Sequence, residues 1–431
     1  MAKDVVKAGL IGFGTIGTGV VKLFKNSAAL INQKAGVKVE LKKICDLDLK
    51  TDRGVSVDKS MLTDKVGDII DDPEIDIVIE LIGGYKPALD FMLSAMEKGK
   101  HIVTANKALI SKHWGELAEA ANKNKCEIMA EAAVGGGIPI LRGIDKGLAA
   151  NRIEKIMAIL NGTCNYILTK MTIDKMSFDE ALKEAQEKGF AEADPTLDIE
   201  GLDAMHKIVI LSNLSFGKRV KEEDVFVQGI KNVDYMDIEF AGEFGYVMKL
   251  LSVAENSGDG INVRVHPVLV AKSMLLASVN YEFNAVYVSG DAVGNTMFYG
   301  KGAGEMPTAS AVLSDIIYIA RNIHNGVERK PYNPEKNKEL KIVKIDEIRS
   351  KYYMRFNVVD KAGVLAEISG ILGSHNISIE SMIQKARHSH EKVPVVIMCY
   401  ESKEADVKKA IEKIDGLGIV KEKTVVYRVI E

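Results

Sequence analysis

A single lysine, Lys207, interrupts an otherwise apolar helical run, and the carboxylates Glu192, Asp194, Asp198, Glu200 and Asp203 crowd into the dozen residues ahead of it. Asp203 and Lys207 stand four apart and so share one helical face, with Leu211 and Leu214 continuing the same line. An exposed pair at that spacing contributes only about 0.3 to 0.5 kcal/mol and would be an ordinary solvated face. The lead-in argues otherwise, because Gly189, Pro195 and Gly201 fix the path of the acidic segment. A lysine held partly out of water with carboxylates in reach feels opposing pressures on its pKa and can serve as a proton donor.

Such a donor needs a scaffold, and the first third of the chain predicts one. VVKAGLIGFGTIGTGVVKLF reads as strand, turn and helix, with the turn at Gly12-Phe13-Gly14-Thr15-Ile16-Gly17. Glycines there let backbone approach a pyrophosphate, and the helix start offers free N–H groups to it. The segments 37–46, 75–84, 100–107 and 126–137 read as buried strands with helices between them, which predicts a doubly wound parallel sheet. Ligands gather at the carboxyl ends of such strands, where Gly83, Gly84, Lys107 and the glycines 135–137 fall. Asp46 closes the second strand, where a carboxylate takes the ribose hydroxyls of NAD, while Lys42, Lys43, Lys50 and Arg53 could accommodate the extra phosphate of NADP. The expected cofactor is NADP(H) or NAD(H), with the choice open.

Composition narrows the partners. At 431 residues the chain exceeds what one core usually supports, so two or three domains are expected. A net charge of −3 with dispersed Lys and Arg leaves no footprint for nucleic acid, and a small metabolite is the expected partner. No apolar stretch is long enough for a bilayer, and a cytoplasmic protein is expected. Cys45, Cys126, Cys164 and Cys399 stand far apart, against a disulfide framework or a zinc site.

The pattern Ala185-x-x-x-Gly189-Phe190-Ala191-x-x-Asp194-Pro195-x-x-Asp198-Ile199-x-Gly201-x-Asp203-x-x-x-Lys207 resembles the signature of homoserine dehydrogenases. So do TANKALI (104–110), EAAVGGGIPI (131–140), NGTCNYIL (161–168) and GKGAGEMPTASAV (300–312), and the resemblance covers essentially the whole chain. It implies NAD(P)-dependent interconversion of L-aspartate 4-semialdehyde and L-homoserine, on the route to threonine, methionine and isoleucine. By the same resemblance Lys207 protonates the aldehyde oxygen, Lys107 assists near the nicotinamide, and Glu192, Asp203 and Gly189 hold the substrate. Gly302 and Gly304 return to the cofactor. The family's monovalent cation, usually sodium, maps onto backbone carbonyls of Glu131, Val134, Gly136 and Ile138, against the alternative of a plain hinge. Cys164 raises a thiohemiacetal mechanism with His206 as base, weighed against a small packed residue. Two other functions compete: a dinucleotide and amino-acid sensor without turnover, and a related dehydrogenase acting on another amino-acid aldehyde or imine.

Beyond a charged stretch at 326–351 that reads as a linker, residues 352–431 give the order βαββαβ of a ferredoxin-like fold. This module resembles an ACT domain, which usually binds an amino acid between paired copies. Asp360, Gly363, Leu365 and Asn376 are the matching effector positions, with L-threonine as the expected effector and a ligand-free dimerisation module as the alternative. The expected fold class is α/β and α+β multidomain. Residues 1–133 are a Rossmann-type domain and 134–304 a mixed catalytic and dimerisation domain. The helix 305–325 returns to the first domain, ahead of the linker and the ACT domain. No kinase domain is expected ahead of the dinucleotide strand, and a homodimer or homotetramer is expected.

Overall fold

The structure is a computed structural model describing residues 3–258, 260–329, 331–332, 337–384 and 393–431. Parts of the expected linker, residues 330 and 333–336, lie outside the described residues. Contacts group the chain differently from the sequence boundaries, into two compact units. One comprises Met1–Ile156, Met205–Glu223 and Phe283–Leu340, and the other Met157–Ala204, Asp224–Glu282 and Lys341–Glu431.

In the first unit six parallel strands run in the order β3-β2-β1-β4-β5-β6. They are β1 (Val5–Ile11), β2 (Lys38–Cys45), β3 (Leu62–Thr63), β4 (Ile77–Glu80), β5 (His101–Thr104) and β6 (Ile128–Met129). The consecutive residues Ile77, Val78 and Ile79 of β4 and Ile102 and Val103 of β5 are fully buried, as a sheet covered on both faces requires. The helix Glu305–His324 lays Val312, Ile316 and Ile319 into this same core. Fully burying each such side chain contributes about 1.5 to 3 kcal/mol. The strand order reverses between β1 and its neighbours β2 and β4, which opens a crevice at their carboxyl ends.

The strand expected at 126–137 is a correction: only Ile128–Met129 pairs, and Glu131–Ala133 is a short helical turn. Gly135 and Gly136 have φ of 71° and 54°, left-handed values that end any strand. Lys107 likewise does not close a strand but opens the helix Lys107–Asn124, after the cap Asn106.

In the second unit the strands Tyr246–Asn256 and Ile261–Ala271 pair antiparallel along their whole length. The last strand, Val425–Ile430, hydrogen-bonds in parallel to Ile261–Ala271, with Val268 opposite Arg428. The strands Arg349–Val358, Val393–Lys403 and Ile379–Gln384 continue outward in that order. Together with the helices Val364–Ser374 and Glu404–Asp415 they make the expected βαββαβ order, beginning inside the segment read as linker. The C-terminal module is therefore grouped with residues 157–204 and 224–282 because its edge strand extends their sheet. No helix among the described residues is long and apolar enough to cross a membrane.

A buried ion pair reinforces that joint. Asp237, fully buried on the helix Tyr235–Glu243, accepts two bonds from the Arg355 guanidinium, at 2.6 and 2.8 Å, and one from the Tyr353 hydroxyl at 2.7 Å. Asp237→Ala removes the close partner of the buried Arg355 cation and leaves it the half-exposed Asp234 at 3.9 Å; breaking a buried pair in this way costs about 3 to 5 kcal/mol. The urea midpoint is expected to fall accordingly, with Asp237→Asn losing less; an unchanged midpoint in Asp237→Ala would show that the pair carries no stability.

Candidate active site

In the first unit the glycine turn is built as a dinucleotide requires. Gly12 has φ of 102°, and a Cβ on it would lie 2.7 Å from the Leu81 carbonyl carbon. A Cβ on Gly17 would meet the Gly12 oxygen at 2.2 Å, so the helix Thr15–Asn26 packs onto the turn only with glycine there. Gly14 caps that helix without a side-chain acceptor and Gly14 and Thr15 are exposed, while Phe13 and Gly17 are buried and Ile16 half-buried. The first N–H groups are thus free to meet an anion.

Asp46 and Arg53 come together beside that turn. An Asp46 oxygen accepts the Phe13 N–H at 2.5 Å, and its other oxygen lies 3.6 Å from an Arg53 nitrogen. The Arg53 guanidinium stacks over the Phe13 ring at 4.8 Å and also donates to the Phe13 carbonyl. A carboxylate suited to ribose hydroxyls and a cation suited to a phosphate therefore share one corner.

Lys107 is held by a network no sequence signal announced. Glu80, fully buried at the end of β4, accepts the Ile82 and Gly83 N–H groups at 2.9 and 3.2 Å and the Thr104 hydroxyl at 2.7 Å. The Thr104 oxygen receives the Asn106 N–H, and the Asn106 side chain both donates to the Gly84 carbonyl at 2.7 Å and caps the Lys107 helix through the Leu109 N–H. Lys207 lies on the helix Leu202–Phe216, and as a residue it is only 9% exposed.

Glu131 is buried, and its carboxylate takes the Leu141 and Arg142 N–H groups at 2.8 and 3.0 Å together with the Arg142 side chain. The Gly136 backbone packs against the later glycine turn, where a Cβ would lie 2.4 Å from the Gly302 oxygen. Gly304 caps the following helix, with φ of 119°. The carbonyls of Glu131 and Ile138 each accept one backbone N–H, which leaves a lone pair on each for a cation. Val134 and Ile138 are buried. Among the described residues no cluster of three or more His, Cys, Asp or Glu forms a metal site. A cavity of about 270 Å³ between Trp114, Arg142, Leu214 and Tyr332 includes only Glu131 of the expected site residues.

The second unit holds the acidic segment, and its organiser is Asn161, to which the sequence reading gave no role. Its side-chain oxygen accepts the Cys164 N–H at 2.8 Å and so caps the helix Gly162–Ile173. Its side-chain nitrogen donates to Asp198 at 2.6 Å and to Asp203 at 2.9 Å. Asp203 is buried and Asp198 half-buried. Thr163 donates to the Phe190 carbonyl at 2.6 Å, which ties the Gly189–Asp194 loop to the same helix. Gly189 turns that loop at φ of 74°, and Glu192 is exposed. Asparagine ahead of a helix was a readable cap signal, but the two carboxylates it bridges were not.

Cys164 is fully buried and donates to the Asp198 carbonyl at 3.1 Å, the packed arrangement rather than an accessible nucleophile. His206 lies 3.5 Å from Glu222, whose carboxylate also accepts the Ser111 hydroxyl. In the C-terminal module Asp360, Gly363 and Asn376 are exposed and Leu365 is half-buried. Gly363 opens the helix Val364–Ser374 and Asn376 follows it, so one chain places them at opposite ends of about 16 Å of helix.

The model described as homoserine dehydrogenase matches residues 139–317, one described as its NAD binding domain matches 12–131, and an ACT domain model matches 352–418. A homoserine dehydrogenase of Bacillus subtilis (strain 168) is 42% identical over 426 residues, 98% of each chain. The crystal structure of a homoserine dehydrogenase from Thiobacillus denitrificans superposes with a TM-score of 0.94 at 40% identity, covering 99% of this chain and 98% of that one. A hyperthermophilic archaeal homoserine dehydrogenase in complex with NADPH superposes at 0.62 with 25% identity, over 73% of this chain and 97% of its own.

The Asn161 bridge generates a test. Asn161→Asp keeps the helix cap but replaces a donor by a third carboxylate against Asp198 and Asp203. Unsatisfied buried groups of this kind cost about 1 to 3 kcal/mol, more when charged. The variant is expected to unfold at lower urea than the parent at pH 8 and to recover as the pH falls and the carboxylates take up protons. A urea midpoint equal to the parent's at pH 8 would show that the bridge is incidental.

Proposed function

The chain belongs to the homoserine dehydrogenase family, and from that premise we propose that it reduces L-aspartate 4-semialdehyde to L-homoserine with Lys207 as the proton donor. The observation that carries this reading is a lysine only 9% exposed, on a helix whose first turn bears the buried Asp203. A bound nicotinamide supplies the hydride that the aldehyde carbon receives. Lys207 gives its proton to the oxygen as negative charge develops there, which a cationic donor stabilises before transfer is complete. Lys107, the first residue of its helix, assists with a second positive charge. Glu192 offers an exposed carboxylate to the substrate ammonium, and Gly189 gives that loop its turn. Asp203 and Asp198, oriented by Asn161, complete the substrate contacts.

The glycine turn with Asp46 and Arg53 holds the dinucleotide, and both NADPH and NADH remain candidates because carboxylate and guanidinium share its ribose end. The Gly302 turn packs against the 135–137 glycines and closes the cofactor side, while the carbonyls of Glu131, Val134, Gly136 and Ile138 accept a monovalent cation such as sodium. In the C-terminal module L-threonine binds between two copies, with Asp360, Gly363 and Leu365 from one and Asn376 from the other. That pairing follows from the helix that separates these positions within a chain. The protein works in the cytoplasm as a homodimer or homotetramer, in the biosynthesis of threonine, methionine and isoleucine.

The assay follows loss of reduced cofactor with aspartate semialdehyde and either NADPH or NADH, with and without threonine. Oxidation with at least one cofactor is expected, and its absence with both would defeat the enzymatic reading. A positioned proton donor contributes about 10² to 10⁴ in rate. Lys207→Ala is therefore expected to lose turnover on that order while dinucleotide affinity, measured by fluorescence titration, is retained. Loss of cofactor affinity instead would make Lys207 structural. Indifference to threonine would remove only the regulatory part.

A further inference from the structure

Lys249 lies on the strand Tyr246–Asn256, is 1% exposed, and has no part in the chemistry above. Its ammonium donates to the Val279 carbonyl at 2.5 Å, to the Asn280 side-chain oxygen at 3.1 Å and to the Asn165 side-chain oxygen at 3.3 Å. These are as many acceptors as the group has protons, and all are uncharged. Burial pushes its pKa down to about 7. A methionine would fill the same space without desolvating an amine, so what the lysine adds is direction.

That direction points at the Gly162 helix. Asn165 stands one turn along it, and its N–H donates to the Asn161 carbonyl at 3.2 Å. The Asn165 side-chain nitrogen donates to the Val279 and Tyr281 carbonyls at 3.2 and 2.8 Å. Thr169, one turn further, donates to the Asn165 carbonyl and accepts the Tyr281 N–H at 3.0 Å. Tyr281 faces the Tyr166 ring at 6.4 Å, and Tyr166 packs on Phe190 at 4.8 Å. Segment 279–281 is thus clamped between the lysine and the helix whose first turn carries Asn161 and Thr163.

We propose that Lys249 is a positioning residue: by anchoring the Gly162 helix it fixes where Asn161 and Thr163 hold Asp198, Asp203 and the Phe190 loop. The proposal rests on the reading that these carboxylates and this loop receive the substrate. It assigns Lys249 to the substrate side alone, because every partner in the clamp belongs to the second unit, whereas the glycine turn belongs to the first.

The test uses the full chain and Lys249→Met. The KM for aspartate semialdehyde is expected to rise about tenfold or more, with the dinucleotide KM within about twofold of the parent. Asn280→Ala, which removes one acceptor away from the helix, is expected to move the same constant less, and it carries the test if Lys249→Met does not fold. An unchanged substrate KM, or equal rises in both constants, would overturn the proposal. If the parent shows no activity, the function fails separately, and amide exchange decides the anchor. Faster exchange at the Asn165 N–H in either variant supports the anchor; unchanged exchange there overturns it.

Discussion

The side-chain amide of Asn161 is the contact on which the acidic segment depends. A carboxamide alone among side chains of its size offers an acceptor and two donors at once. Here the acceptor caps a helix and the donors take Asp198 and Asp203. Bridging both also ties the first turn of the helix Leu202–Phe216, which carries Asp203, to the start of the helix Gly162–Ile173. Lys207 stands four residues after Asp203 on that helix, forty-odd residues beyond the asparagine in the chain.

A parallel arrangement supports the first unit. The buried Glu80 carboxylate collects two backbone N–H groups and a hydroxyl, which shapes the Gly83-Gly84 turn and leads through Thr104 to the Asn106 cap of the Lys107 helix. Both networks join separate chain segments through a single buried polar group, Glu80 by accepting from three donors and Asn161 by accepting one N–H and donating to two carboxylates. In a low-dielectric interior such a group is costly unless fully partnered, and once partnered it fixes geometry that apolar packing would leave slack.

The C-terminal module is continuous with the rest of its unit. Its last strand extends the sheet of Ile261–Ala271, and the Asp237 carboxylate is gripped by Arg355 and Tyr353 from its first strand. Loop 359–363, where the proposed effector positions begin, follows that strand directly. Asp237 lies on the helix Tyr235–Glu243, which buries Asp237, Ile238, Phe240 and Ala241 and belongs to the same unit as the Asn161 bridge. The C-terminal module and the acidic segment therefore belong to one compact unit.

The amino-acid order by itself determined the parallel sheet with its glycine turn, the helix bearing Lys207 and the βαββαβ module. These rest on local rules: period-two and period-3.6 burial, glycine where backbone must come close, and caps at helix starts. It also determined the family, because the signature through Lys207 is long and local. Only the tertiary structure decided that residues 126–137 turn rather than extend, that Asn161 bridges two carboxylates, that Cys164 is packed, and that the C-terminal strand joins the neighbouring sheet. Lys249 looks in sequence like any strand lysine, and its burial comes from segment 279–281 folding over it. The reason is range. Local conformation follows from neighbouring side chains and backbone sterics, whereas the partner of a buried polar group is chosen by which distant segments the whole fold brings within about 3 Å.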